Sequence, residues 1–118
     1  MLQSFKELKV WQRSIDLVKV IYFITGKFPD DEKFGLVIQM RRAAISIPAN
    51  IAEGYKRSSL REYIRFLNIS NASSAELETH IIITKDLFPY VDFYKSEILL
   101  LEVQKMLAIL IKSLIAKI

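Results

Sequence analysis

The sequence contains no cysteine, one histidine, three glycines and three prolines. The lack of cysteine excludes disulfides and thiolate metal sites, and it makes a cytoplasmic location the expected one. Three scattered glycines cannot form a phosphate-binding loop. Glu76 and His80 lie one turn apart, but a metal site in a bundle needs further inward carboxylates, so a polar interface contact is the favoured interpretation. We therefore expect no enzymatic activity, no cofactor and no metal.

Long apolar runs are also missing. The longest uncharged segments, 43–52 and 66–75, have ten residues each, whereas a membrane-spanning helix needs about 18. Nevertheless, 52% of the 118 residues are hydrophobic and the mean hydropathy is +0.24. A chain of this length makes one domain, 1–118, and this composition is more apolar than a monomer needs. Because no uncharged run is long enough to span a membrane, we expect no membrane association. The apolar surplus then predicts contacts between subunits.

What is present is helical periodicity. Ser4 and Glu7 form a capping box that predicts the start of a first helix, which ends at Gly26. An acidic triplet at 30–32 suits the start of a second helix, because the helix dipole is positive there. We expect this second helix over 31–53, with Gly54 as a left-handed stop.

Pro48 lies in the middle of the predicted second helix, where it removes one backbone donor at a cost of about 3 kcal/mol. The apolar spacing continues through it, so we predict a kinked helix, with a loop between two shorter helices as the alternative. Ser46 and Asn50 lie near the freed carbonyl group, and the neighbouring alanines are small. A close, polar-lined helix crossing is therefore expected.

The third helix has the most regular pattern in the chain. Ser59 and Glu62 form a second capping box, and apolar or small residues then recur at alternating spacings of three and four up to Pro89. Ser70 and Ser74 occupy the middle of this seam, which suits a close approach to the second helix. Asp92 is a plausible cap for the fourth helix. No segment alternates with a period of two over more than a few residues, so no sheet is expected.

Four helices with short connections predict an all-α, up-down-up-down four-helix bundle. The third and fourth helices each have a second apolar side, which a monomer would leave exposed. We interpret this as an oligomer interface. On the third helix it comprises Phe66, Ile69, Ser73, Glu76, Ile83 and Leu87.

Three segments resemble a known family, and together they span most of the chain: RRAAISIPANIAEGYKR at 41–57, FLNISNASSAELET at 66–79 and FKELKVWQRSIDL at 5–17. The family is that of the four-helix-bundle proteins first noted as reading frames in 23S rRNA intervening sequences. Its members resemble the accessory variability determinants of diversity-generating retroelements, which are pentameric barrels with basic surfaces. The resemblance implies a bundle and a cyclic homo-oligomer, here expected to be a pentamer. It carries no catalytic assignment.

The positive charge is concentrated in one part of the sequence. Segment 41–65 has six basic residues against two acidic ones, and this local +4 equals the net charge of the whole chain. We predict a nucleic-acid-binding surface there, with phosphate contacts that become stronger when the surface is repeated in an oligomer. A solvated bundle end is the alternative for a single monomer. The candidate residues are Lys56, Arg57, Arg61, Arg65, Arg41, Arg42 and the ring of Tyr55.

The leading functional hypothesis is an oligomeric RNA- or ribonucleoprotein-binding module without enzymatic activity. The alternative is a protein-only adaptor or scaffold that binds partner helices or a reverse transcriptase. Partner capture that is insensitive to salt, without co-purifying nucleic acid, would favour the adaptor.

Overall fold

A computed structural model describes residues 2–118 of the chain. Within this range the protein has no strand and four α-helices: α1 (Lys9–Thr25), α2 (Leu36–Tyr55), α3 (Leu60–Leu87) and α4 (Tyr94–Ile115). Two short 3-10 turns, Phe5–Glu7 and Asp30–Glu32, precede α1 and α2. The expected all-α fold with four helices is confirmed.

The helices pack as a ring, α1 on α2, α2 on α3, α3 on α4 and α4 back on α1, in a body of 46 × 23 × 21 Å. This is the packing order of an up-down-up-down bundle, and each helix contributes an apolar stripe to one shared core. The predicted seam of α3 is buried: Leu67, Ser70, Ser74, Leu77, Ile81 and Thr84 are each at most 2% exposed.

Both predicted helix starts in the first third of the chain are displaced. The Ser4–Glu7 capping box is present, but it caps the 3-10 turn, and the extended backbone of Leu8 delays α1 to Lys9. The acidic triplet likewise forms a 3-10 turn. Gly35, with φ −114° and ψ −102°, interrupts helical geometry, so α2 begins at Leu36 and not near residue 31.

The helix α2 continues through Pro48, and residues 46–50 are all helical. The alternative of a loop at this position is therefore wrong. The expected polar crossing with α3 is present: Ser46 Oγ and Ser73 Oγ are 2.7 Å apart, and Ser70 Oγ donates to the Ile47 carbonyl at 2.7 Å. These hydrogen bonds fix α3 against the α2 segment that contains the proline.

The two ends of the bundle are closed by aromatic contacts. At the end where α1 stops and α4 begins, Phe28 packs on Phe88 and Phe93, with ring centroids 4.8 and 6.1 Å apart. At the other end, the Tyr55 hydroxyl donates to the Leu2 carbonyl at 3.0 Å, which attaches the start of the described chain to the end of α2. The candidate basic residues next to Tyr55 lie at this second end.

Candidate nucleic-acid interface

The connection between α2 and α3 is short and basic. Only residues 56–59 separate the two helices, and Ser59 Oγ accepts from the Glu62 N–H at 3.1 Å to cap α3. This serine cap was predicted, but the Glu62 carboxylate does not complete the capping box, because it binds Arg65. Lys56 and Arg57 lie in the connection, and Arg61 and Arg65 lie in the first two turns of α3. All four side chains are exposed. We call these four residues the basic corner.

Gly54 does not end α2 in a left-handed conformation. Its φ is not positive, and the helix continues to Tyr55. A Cβ atom at this position would lie 2.8 Å from Phe66 Cβ and 3.1 Å from Tyr63 Cδ1, which is too close for ordinary packing. The glycine is therefore needed because α3 approaches the α2 backbone here. The same approach buries Phe66, which is 9% exposed.

Phe66 supports two arginines of the basic corner. The guanidinium carbons of Arg57 and Arg65 lie 4.6 and 4.5 Å from the centroid of its ring. Cation–π contacts of this geometry favour one orientation of each long side chain. Phe66 was a predicted oligomer-interface residue, but within the single chain it is already covered.

Two carboxylates neutralise the same two arginines. Glu53 Oε1 accepts from Arg57 Nη2 at 2.8 Å, and Glu62 binds Arg65 through two hydrogen bonds of 2.9 and 3.1 Å. The hydrogen bond from Arg65 lowers the pKa of Glu62, and the same bond raises the pKa of Arg65. The spacings of four and three residues are those at which helical side chains pair. Both pairings can therefore be predicted from the sequence alone.

Lys56 and Arg61 differ from the other two members of the basic corner. Neither takes part in an ion pair within the described part of the chain, and both are exposed. The basic corner therefore combines two oriented, paired arginines with two unpaired cations. With Glu53 and Glu62 included, the local charge is +2.

Tyr55 is less available for stacking than its place in the sequence indicated. Its hydroxyl is bound to Leu2, and its ring packs edge-on against Phe5 and Tyr63 at 6.4 and 6.1 Å. Burial raises the pKa of Tyr63, with the Tyr55 phenol as a second cause. The ring of Tyr55 therefore supports the bundle end beside the basic corner.

The structure does not bring Arg41 and Arg42 to the basic corner. Arg41 precedes Tyr55 by fourteen residues on the same helix, or about 21 Å. Its Nε donates to Thr25 Oγ1 at 3.0 Å, and its guanidinium carbon lies 4.3 Å from the centroid of the Tyr22 ring. Arg41 therefore fixes α2 to α1. Arg42 is exposed, but it lies away from the basic corner.

The remaining predicted interface residues of α3 are only partly free. Ile83 and Leu87 are 44% and 56% exposed and Ile69 is 36% exposed, whereas Ser73 is bound to Ser46. Glu76 is exposed, and its Oε2 lies 3.7 Å from His80 Nε2. Within residues 2–118, no three His, Cys, Asp or Glu side chains come together as metal ligands.

Sequence reasoning also missed a cluster of lysines around a cleft between α1 and α4. Lys19 and Phe23 are spaced by four residues, which places them on one side of α1, and Lys27 follows in the turn after the helix. That spacing is a visible signal. The contribution of Lys95 from the start of α4 is not, because it depends on how the helices pack.

Comparison with known proteins gives one family assignment. No helix in the described part of the chain is long and apolar enough to cross a membrane. No curated protein matches the sequence. The profile of the family described as 23S rRNA-intervening sequence protein matches residues 6–112, which is most of the chain and includes all of the basic corner. The chain therefore belongs to the 23S rRNA-intervening sequence protein family.

Proposed function

We propose that the protein is an oligomeric RNA- or ribonucleoprotein-binding module without enzymatic activity, and that the basic corner contacts phosphate. The observation that supports this most is that two cations without an ion pair, Lys56 and Arg61, lie beside two arginines that Phe66 orients. Oriented guanidinium groups lose less side-chain entropy when they bind an anion. The family name, which refers to an rRNA insertion, is consistent with an RNA partner.

Binding through the basic corner is expected to be strongly salt dependent and weakly dependent on sequence. Lysine and arginine contacts to phosphate release counterions but do not read base edges. The paired arginines exchange a carboxylate for a phosphate when they bind, so Glu53 and Glu62 limit the affinity. Specificity then comes from the fold of the RNA or from a protein partner.

We propose a cyclic homo-oligomer, with a pentamer as the expected form. The outer sides of α3 and α4 carry exposed apolar residues, among them Ile83 and Leu87 on α3 and Ile98 and Leu101 on α4. Five copies of a +4 chain bring about +20 onto one particle, which increases its attraction for polyanions. Light scattering at micromolar concentration is expected to give a multiple of 13.7 kDa. A monomer mass would contradict this proposal.

Two further parts of the hypothesis concern the bend of α2 and the cellular context. We propose that Pro48 kinks α2 without ending it, since it removes a donor inside a continuous helix. A cytoplasmic location is proposed because cysteine is absent. The proposed relationship to accessory proteins of diversity-generating retroelements rests on the resemblance of the sequence motifs.

A protein-only adaptor is the second candidate function. The groove between α3 and α4, about 210 Å³ in volume and lined in part by Ile82 and Leu101, supports it. An amphipathic partner helix, including one from a reverse transcriptase, could lie in such a groove. Salt separates the two candidates, because apolar docking persists at high salt and phosphate binding does not.

The test is RNA binding by a variant of the basic corner. Changing Arg57 and Arg61 together to glutamine removes one paired and one unpaired cation without touching the core. We expect the affinity for a labelled single-stranded RNA to fall about tenfold near ~100 mM salt, with a salt slope shallower by about two. Fluorescence anisotropy measures the affinity, and light scattering checks that the oligomer size is unchanged.

The control variant carries the same loss of charge at distant exposed positions, Lys33→Gln with Lys105→Gln. It is expected to lose less affinity than the corner variant. Equal affinities of the corner variant and the parent would contradict RNA binding through the corner. Absence of RNA binding by the parent even at low salt would favour the adaptor.

A further inference from the structure

A cleft of about 520 Å³ lies between the end of α1 and the start of α4. This volume is within the range of about 300–1,000 Å³ that small-molecule sites occupy. Its apolar lining comes from Val20, Phe23 and Ile24, of which Ile24 is 4% exposed and belongs to the core. The base of the cleft is therefore formed in part by the packed core.

The rim of the cleft is positively charged. Lys19 from α1, Lys27 from the turn that follows α1 and Lys95 from α4 border it, and none of the three takes part in an ion pair among residues 2–118. One carboxylate, Asp92, also borders the cleft, and its Oδ1 accepts from the Tyr94 N–H at 2.9 Å. Three lysines and one aspartate give the rim a net charge of +2. The groove between α3 and α4 is bordered by two glutamates, so the sign of the charge distinguishes the two sites.

Phe23 adds an aromatic surface to this basic rim. It is 67% exposed, and the Lys27 ammonium nitrogen lies 4.6 Å from the centroid of its ring. The ring lies outside the apolar core and lines the cleft. An exposed ring beside one ammonium group, in a cleft that two further lysines border, is complementary to a ligand that joins a planar ring to an anion.

We propose that this cleft binds one nucleotide unit, with the base against Phe23 and the phosphate between the ammonium groups of Lys19, Lys27 and Lys95. The base provides the planar ring that stacks on Phe23, and the phosphate provides an anionic partner for the three lysines. A free mononucleotide and a single nucleotide of an RNA strand share this chemistry. The site is separate from the basic corner, which lies at the opposite end of the bundle, and does not depend on RNA binding there.

The first experiment measures binding to the full-length protein by titration calorimetry with AMP, ribose 5-phosphate and adenosine. We expect AMP to bind at least about tenfold more tightly than either fragment, because only AMP uses both the ring and the phosphate site. If AMP does not bind at millimolar concentration, or binds no better than ribose 5-phosphate, the proposal is wrong.

The second experiment changes the ring. Phe23→Ala is expected to weaken AMP about fivefold or more and to leave ribose 5-phosphate binding unchanged. Phe34→Ala is a matched control, because Phe34 is 84% exposed and also has a lysine nearby, Lys33 at 5.9 Å, but lies outside the cleft. Equal effects of the two variants would overturn the proposal, and thermal unfolding shows that both variants keep the fold.

The third experiment identifies the source of the nucleotide. If a short single-stranded RNA displaces AMP from the parent and a base-free phosphate polymer does not, the cleft takes a nucleotide from a strand. If RNA does not compete, it takes a free nucleotide. The variant with Arg57 and Arg61 changed to glutamine must still bind AMP, so a failure of the corner hypothesis is distinguishable from a failure of this one. Loss of AMP binding in that variant would contradict a separate site.

Discussion

Along the α2–α3 interface, which we call the close interface, small side chains bring two helix backbones together, whereas long charged side chains meet across the α1–α4 interface, which we call the open interface. Gly54 and Ser70 each touch the facing helix directly, and Ser70 is fully buried. Between α1 and α4, Arg13 reaches Glu102 across a hydrogen bond of 2.7 Å, and both side chains remain more than one third exposed. The Glu102 hydrogen bond raises the pKa of Arg13.

This difference indicates that the close interface contributes to the stability of the fold, whereas the open interface provides space for a ligand. At the close interface Ser46 is bound to Ser73, and Ser70 is bound to the Ile47 carbonyl. The open interface has a cleft of about 520 Å³ at one end and a shallower hollow of about 320 Å³ at the other. Substitutions in the first interface are therefore expected to change the free energy of unfolding, and substitutions at the second to change ligand affinity.

The largest expected effect is at Gly54. In Gly54→Ala the new Cβ would lie too close to Phe66 Cβ. Because the backbone fixes the position of a Cβ atom, rotation of the Phe66 side chain cannot relieve this contact, and α2 and α3 must move apart. We expect a loss of about 1–3 kcal/mol in unfolding free energy, despite the better helix propensity of alanine. Chemical denaturation measures it.

Gly26→Ala is the matched control. A Cβ at Gly26 meets its nearest atoms at 3.4 Å, which is ordinary contact, and its φ of −63° suits alanine. This variant is expected to be neutral or slightly stabilised, since alanine restricts the unfolded chain. If both glycine variants had the same stability, the close approach at Gly54 would not be the reason for the glycine.

A smaller loss is expected at Ser70. Ser70→Ala removes the hydroxyl that donates to the Ile47 carbonyl across the close interface, and a buried hydrogen bond of this kind contributes about 1 kcal/mol. Ser113→Ala is the control, because Ser113 Oγ donates to Leu110 of its own helix and is exposed. The control is expected to change stability by less than about 0.5 kcal/mol. A reversed order would mean that the interhelical bond does not stabilise the crossing.

The comparison also shows what the sequence could predict. The seam of α3 was correct because its small and apolar residues follow one regular spacing, and Ser70 and Ser74 mark the close approach directly. In α1, by contrast, apolar residues lie on two sides, and the side with Trp11 and Val18 is only half-buried. The fully buried row includes Leu17 and Ile21. Periodicity alone cannot decide between two apolar sides, because the neighbouring helices do.

The basic corner shows the same limit. Its residues could be found from the sequence, and the pairing of Arg57 with Glu53 follows from their spacing. The meeting of Arg57 and Arg65 on Phe66 could not be found, because it joins residues on both sides of a turn. The role of Gly54 was wrong for a related reason: a glycine near the end of a helix fits a stop and a close contact equally well.

Pro48→Ala examines the close interface from inside the helix. Alanine is more favourable than proline in a helix interior by about 3 kcal/mol. If the bent shape of α2 is what positions its polar atoms against α3, straightening the helix disturbs Ser70 and Ser73, and the net gain in stability falls below about 1 kcal/mol. A gain near the full propensity difference would show that the crossing does not depend on the proline. Denaturation gives the gain, and a structure of the variant gives the helix direction.

The smallest expected effect concerns the paired arginine of the basic corner. Glu62→Gln removes the carboxylate that holds Arg65 through two hydrogen bonds, so Arg65 becomes available for phosphate and the local charge rises by one. We expect RNA affinity to rise about threefold at ~100 mM salt, with a steeper salt slope. Glu78→Gln, which changes an exposed carboxylate bound to Gln104 on the α3–α4 side, is the control and is expected to have a smaller effect.

Because Arg65 lowers the pKa of Glu62, the parent carboxylate stays ionised throughout the neutral range. Its contribution to stability is present at neutral pH and is lost only as the pH falls through that lowered pKa. The ratio of the two affinities should therefore be constant between about pH 6 and 8. A ratio that changes with pH in this range, or a Glu62→Gln protein that binds RNA more weakly than the parent, would contradict a phosphate-binding role for Arg65.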